Sequence, residues 1–174
     1  MGDFLEDLDA RLLVDLLRDR ITPDRSLGQH FLLDESVISR SVQLPGEHGS
    51  PLGADSHVLE VGPGPGSLTL AILRSGARVT ALEIDEDAVD HLNRVFSQND
   101  PNFNLINEDA LVAAWPEDTT HVIANIPYSI SSPLLERIQR HHSVNPFRSI
   151  VLLVQEEFAE RMSMRGGPAS SGPL

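Results

Sequence analysis

Five short apolar runs each end abruptly in a polar or glycine-rich cluster. They are HVLEV before GPGPG (57–66), RVTALE before ID (78–85), FNLI before NEDA (103–110), HVIA before NIPY (121–128) and IVLLV before QEEF (150–158). Runs of this length bounded by turn residues read as buried strands. The spacing predicts strands over 57–61, 78–83, 103–107, 120–125 and 148–154, and helices over 66–75, 86–98, 132–142 and 156–163. Alternation of this kind requires right-handed crossovers, hence an α/β fold with a mostly parallel twisted sheet and helices on both faces. Ligands of such sheets bind beyond the carboxyl ends of the strands, so the five clusters are expected to line one rim.

Before the alternation, Leu5, Leu8, Leu12, Leu13, Leu16 and Leu17 keep helical spacing and predict an amphipathic helix to about Arg20. Residues 21–33 read as a loop, and Asp34 caps a second helix to about Leu44. A glycine- and proline-rich connection (45–56) follows. Asp85 is placed to cap the helix after the second strand, and Pro133 fits a first helical turn behind Ser131 and Ser132. The expected organisation is N-terminal helices and a clasp (1–45), a core (46–163) and a disordered tail (164–174).

With 174 residues, 40% of them hydrophobic, the chain suits one domain with a full core. No apolar run is long enough to span a membrane, and acids throughout the first twenty residues make a poor secretory signal. Zero cysteines exclude disulfides and thiolate metal sites and fit a cytoplasmic, reducing setting. The net charge is −13, and all thirteen bases are arginine. That balance opposes phosphate binding. Either the partner is not a nucleic acid, or the acidity is a solubility trait of a salt-rich cytoplasm; biased codon usage accounts equally well for the missing lysine.

Gly62, Gly64 and Gly66 follow a strand and open a helix, the context that makes a glycine fingerprint credible. The spacing is shorter than a dinucleotide fingerprint, and Pro63 and Pro65 each remove an amide donor. The loop therefore suits an uncharged or zwitterionic ligand better than a phosphate; a plain tight turn is the competing reading. Glu83 ends the second strand at the distance expected of a ribose-binding acid, and Asp109 after the third could accept from an adenine amine. Each competes with a simple solvated or capping acid. Together with the glycine loop they describe a pocket for an adenosine-containing cofactor.

Asn125-Ile126-Pro127-Tyr128 after the fourth strand suits methylation of an exocyclic adenine amine. Acceptors from the Asn125 side chain and the Ile126 carbonyl would localise the nitrogen lone pair, Pro127 would stiffen the turn, and Tyr128 would offer a stacking face. A turn with a packed tyrosine is the alternative. At this point SLGQHFL (26–32), EVGPGPGSLT (60–69), LEID (82–85), EDAL (108–111), NIPYSISSPLL (125–135) and VQEEFAERM (154–162) resemble, in order, the small-subunit ribosomal RNA adenine dimethyltransferases. GQHFL has the family's archaeal or eukaryotic flavour.

The resemblance implies a Rossmann-like class I methyltransferase fold and S-adenosylmethionine as methyl donor. It places Gln29, His30 and Leu32 along the cofactor's edge and Gly62 and Gly64 beside its methionine part, with Glu60 a further cofactor-binding residue. Glu83 would hold the ribose and Asp109 the adenine amine, with Ile84 and Ala110 also among the cofactor-binding residues. Asn125 would serve both cofactor and target amine, with Ile126, Pro127 and Tyr128 completing the catalytic turn. The implied partner is small-subunit ribosomal RNA or an immature small subunit, met by a monomer without metal or membrane. His30 can equally be a packed loop residue, and the other histidines are expected at surfaces or helix ends. Arg161 is expected against Glu156 and Glu157.

Family members continue through two more strands, a small helical domain and a second aromatic loop, where this chain has RGGPASSGPL. The expectation is a truncated chain whose IVLLV run forms an apolar edge strand. Three alternatives stand beside the dimethyltransferase: a non-catalytic RNA-binding assembly factor, an adenine methyltransferase for another nucleic acid, and a nicotinamide oxidoreductase.

Overall fold

Side chains along each central strand alternate between two cores, and that alternation fixes the architecture. In the computed structural model, which describes residues 6–18 and 34–165, Val58 and Ile123 face one core. Leu59, Val61, Val122 and Ala124 face the other. The strands are β1 (His57–Val61), β2 (Arg78–Leu82), β3 (Phe103–Ile106), β4 (His121–Asn125) and β5 (Ser149–Leu153). They form one sheet in the order β3-β2-β1-β4-β5, parallel at every pairing. A strand with two covered faces must be apolar on both, which is why β1 is buried from end to end.

The helices are α1 (Ala10–Arg18), α2 (Glu35–Glu47), α3 (Ser67–Arg74), α4 (Glu86–Leu92), α5 (Ser131–Val144) and α6 (Glu156–Arg165). Leu13 of α1, Ile38 of α2, Leu70 and Ile72 of α3 and Leu92 of α4 cover one face of the sheet. Leu134 and Ile138 of α5, with Trp115 and Phe147, cover the other. Asp34 caps α2 through the Ser36 and Val37 amides, and Asp85 caps α4 through Ala88, as their positions in the sequence lead one to expect.

Three local readings need correction. The connection expected from residue 45 begins later, because α2 runs through a buried Pro45 to Glu47, and the His48 and Ser50 amides close its end by donating to the Pro45 carbonyl. The helix expected over 86–98 gives way after Leu92 to a π-helical turn, Asn93–Ser97. That wider turn seats Val95 and Phe96 in the core. His57 and His121 are buried in strands rather than at surfaces or helix ends, at 6% and 0% exposure, whereas the equally buried His91 sits in the last turn of α4, a helix end as expected. His57 bridges Thr80 and Asp118, and His121 reaches the Ser50 carbonyl. No helix among the described residues is long and apolar enough to cross a membrane. The loop residues Gln29, His30 and Leu32, and the tail beyond 165, lie outside the described residues.

Candidate active site

Parallel strands put their carboxyl ends on one rim, so Glu60, Glu83, Asp109 and Asn125 all leave the sheet on the same side. Between β1 and α3 the glycine turn closes tightly. Gly62, Gly64 and Gly66 take φ of 65°, 55° and 96°. A Cβ on Gly66 would lie 3.0 Å from Phe96 Cζ and closer still to Cε2, so only glycine fits there. All three glycine amides are engaged within the protein. Gly62 N donates to the Leu82 carbonyl at 2.9 Å, Gly64 N to Glu83 Oε2 at 3.1 Å and Gly66 N to the Pro63 carbonyl at 3.0 Å. With Pro63 and Pro65 lacking amide hydrogens, this turn has no row of donors for a phosphate.

The cleft over the turn is lined by Glu60, Gly62, Pro63, Gly64, Pro65, Ser67, Leu68 and Asn125. Glu60 is 1% exposed. Its Oε2 accepts from Thr69 Oγ1 at 2.6 Å, while its Oε1 and the Ser67 hydroxyl are buried without a protein partner. Buried polar atoms are ordinarily paired, so two orphans in one cleft mark a place for a polar ligand atom. Burial pushes the Glu60 carboxyl up to about 8, against the pull of the Thr69 bond and with a contribution from nearby Glu83. A cationic group reaching Oε1 would restore the ionised form. The donor set therefore fits an ammonium-bearing ligand, and S-adenosylmethionine carries one.

Glu83 is 7% exposed. Its Oε1 accepts from the Ile84 and Asp85 amides, both at 3.0 Å, and its Oε2 from Gly64. Burial raises its carboxyl above the usual range, and these amide bonds oppose the rise. Glu83 thus ties the end of β2 to the glycine turn while Oε2 keeps a lone pair for another donor. Ile84 beside it is 65% exposed, an apolar surface at the rim. Asp109 Oδ1 accepts from Leu111 N at 2.9 Å and so closes the turn after β3. The buried Ala110 offers its carbonyl to Trp115 Nε1.

Asn125 ends β4 opposite Leu153. Ile126 N donates to the Leu153 carbonyl at 2.9 Å. The Pro127 carbonyl accepts from Ile130 N and from Ser131 Oγ, so the turn leads into a 3-10 segment, Tyr128–Ile130, and then α5. Tyr128 is 44% exposed. The structure thus brings Glu60, Gly62, Gly64 and Asn125 into the cleft itself, ties Glu83 to it through Gly64, and leaves Ile84, Asp109, Ala110 and Tyr128 outside its lining on the same rim.

Sequence reasoning missed several contributors. Thr69 and Ser67 act on the cleft directly, and His91 Nε2 lies 2.8 Å from the Pro65 carbonyl, bracing the turn from α4. Arg161 contacts Glu157 as expected, its Nε donating to the Glu157 carbonyl, and its guanidinium also bonds the Tyr128 hydroxyl. None of the missed pairings has a local signature. Among the described residues no group of three or more histidines and acids is placed to hold a metal.

A five-stranded parallel sheet in this order, with a glycine turn after β1 and an acid ending β2, is the Rossmann-like fold of class I methyltransferases. Solved structures agree. A dimethyladenosine transferase from Plasmodium falciparum superposes with a TM-score of 0.61 at 28% identity, over 77% of this chain and 46% of that one. The 23S rRNA methyltransferase ErmE gives 0.61 at 30% identity, over 79% and 53%. The SAH-bound Podospora anserina methyltransferase PaMTH1, at 15% identity, shares the fold with a TM-score of 0.59. The chain belongs to the ribosomal RNA adenine dimethylase family, whose model matches residues 22–172. Among its relatives, the ribosomal RNA small subunit methyltransferase A of Synechococcus sp. (strain RCC307) is 43% identical over 158 residues, 86% of this chain and 56% of the relative. The Bifidobacterium adolescentis protein of that name is 38% identical over 160 residues, 84% and 50%. The chain spans about half the length of these curated relatives.

Proposed function

We propose that this chain catalyses S-adenosylmethionine-dependent N6 methylation, and dimethylation, of adenines in small-subunit ribosomal RNA. It would act in the cytoplasm, as a monomer, on the RNA or on an immature small subunit. One observation carries the reading: two unpartnered buried polar atoms, Glu60 Oε1 and Ser67 Oγ, share a cleft with Asn125, the first residue of the N-I-P-Y turn. The family and the names of the relatives support it.

Glu60 and Ser67 would hold the ammonium of the cofactor's methionine part, Glu83 its ribose hydroxyls, and Ile84, Asp109 and Ala110 its adenine side. Gln29, His30 and Leu32 are assigned to the same cofactor by the family motif. S-adenosylmethionine supplies a methyl group activated by a sulfonium centre. The chain's own work is on the acceptor. The Asn125 side-chain oxygen and the Ile126 carbonyl would accept the two amine hydrogens, so that the lone pair leaves conjugation with the ring. Tyr128 would stack on a base that is single-stranded or flipped out. Holding the amine against the activated methyl would supply most of the acceleration, because orientation converts a two-body encounter into one step; S-adenosylhomocysteine would leave, and the methylated amine would shed its proton to solvent.

The test is transfer of labelled methyl groups to undermethylated small ribosomal subunits, followed by digestion to nucleosides. Label in N6-methyl- and N6,N6-dimethyladenosine, lost on Asn125→Ala, is the expected result. Cofactor binding without transfer would leave the assembly-factor reading, and label confined to other nucleic acids would move the substrate.

A further inference from the structure

Tyr128 is the only tyrosine of the chain and stands nearly half exposed on the rim, yet two residues of one helix contact its ring. Phe158 of α6 meets it edge-on, with centroids 6.5 Å apart and planes at 86°. Arg161, one turn further along α6, lies over the ring with Cζ 5.3 Å from the centroid, and its Nη2 donates to the phenolic oxygen. Residues three apart share a helix face, so Phe158 and Arg161 act on Tyr128 together. The Arg161 Nε bond to the Glu157 carbonyl, at 3.3 Å, fixes the guanidinium to the helix in turn. An exposed aromatic ring used as a stacking platform loses affinity if it must first be ordered. A planar guanidinium that bonds the hydroxyl and covers part of the ring removes that freedom, and lysine does this less well.

We infer that Arg161 is a positioning residue for the acceptor base, clamping Tyr128 from α6 so that its ring is already set as a stacking platform when the adenine arrives. This rests on the reading of Tyr128 given under the proposed function. It assigns α6 a part in recognition of the acceptor, separate from the cofactor cleft.

The experiment follows base stacking and cofactor affinity separately. The full chain is titrated, with S-adenosylmethionine present, against a short single-stranded RNA carrying 2-aminopurine at the acceptor position; calorimetry reports cofactor affinity. Arg161→Ala weakens the quenching transition roughly tenfold, from loss of a cation–π contact and a hydrogen bond to a charged group. Arg161→Lys recovers part of that loss. Tyr128→Phe, which keeps the ring and loses the hydroxyl, moves in the same direction, and the double variant is no weaker than the weaker single one. Cofactor affinity is unchanged in all of them, and the salt slope of RNA binding stays that of the unaltered chain. Equal stacking in Arg161→Ala overturns the clamp. So does a salt slope lowered by about one phosphate with stacking intact, which would make Arg161 a phosphate contact. A cofactor-bound, unaltered chain that gives no quenching overturns the acceptor-base reading of Tyr128 itself, and the clamp with it.

Discussion

Thr69 Oγ1 donates to Glu60 Oε2 at 2.6 Å, while Oε1 is left buried and unpartnered in the cleft that Ser67 also lines. A carboxyl group in this position is held neutral by burial, at about 8. The same geometry gives both a ligand-binding consequence and a cost to the folded state.

Glu60 makes stability fall with rising pH. Its folded value of about 8 lies above the ordinary 4.5, so between these values the folded chain keeps a proton that the unfolded chain has released. The contribution is full below the ordinary value and is lost as pH climbs toward the folded one, by roughly 1.4 kcal/mol per pH unit within the window. Buried Glu83 acts with the same sign. His57 and His141, whose values burial lowers, act oppositely below their ordinary 6.5. Urea melts of the unaltered chain and Glu60→Gln from pH 5 to 8, taken as a difference, isolate Glu60: the variant gains relative stability steadily as pH rises.

Gly66→Ala should cost roughly 2–4 kcal/mol, from left-handed backbone strain and overpacking against Phe96. Equilibrium denaturation measures it. Adding Phe96→Leu should return part of the loss, since the ring is the obstruction.

Much of this architecture was legible beforehand. The five strands show because each is an apolar run cut off by turn residues, and Asp34 and Asp85 announce their helices by the chemistry of capping. What escaped detection depends on distant partners. The π turn over Asn93–Ser97 seats Phe96 beneath Gly66, thirty residues away in the chain. Thr69 with Glu60, His91 with Pro65 and Arg161 with Tyr128 are pairings that exist only once helices are laid on the sheet. The burial of His57 and His121 has no sequence signal for the same reason: a polar ring looks like a surface group until its partners are in place.

Glu83→Ala removes the acceptor of three amides, those of Gly64, Ile84 and Asp85. Leaving donors unmade in a partly buried setting costs about 1–3 kcal/mol each at most. The expected outcome is a fall in stability together with loss of cofactor affinity, whereas Glu83→Gln, which keeps one acceptor oxygen, falls between. Melts and calorimetry on the two variants check the order.

At the sheet's edge, β5 presents an apolar side chain to solvent, with Ile150 at 39% exposure. Unpaired strand edges of this kind promote association. Ile150→Lys should lower aggregation on concentration, seen by light scattering, with a stability change within about 0.5 kcal/mol.

Calorimetric titration with S-adenosylmethionine near neutral pH, repeated in two buffers of different ionisation heat, probes the cofactor cleft most directly. The prediction is binding accompanied by proton release from Glu60, weakened at least about tenfold and stripped of that release by Glu60→Gln. Binding that is absent, or that survives Glu60→Gln at full strength, would contradict it.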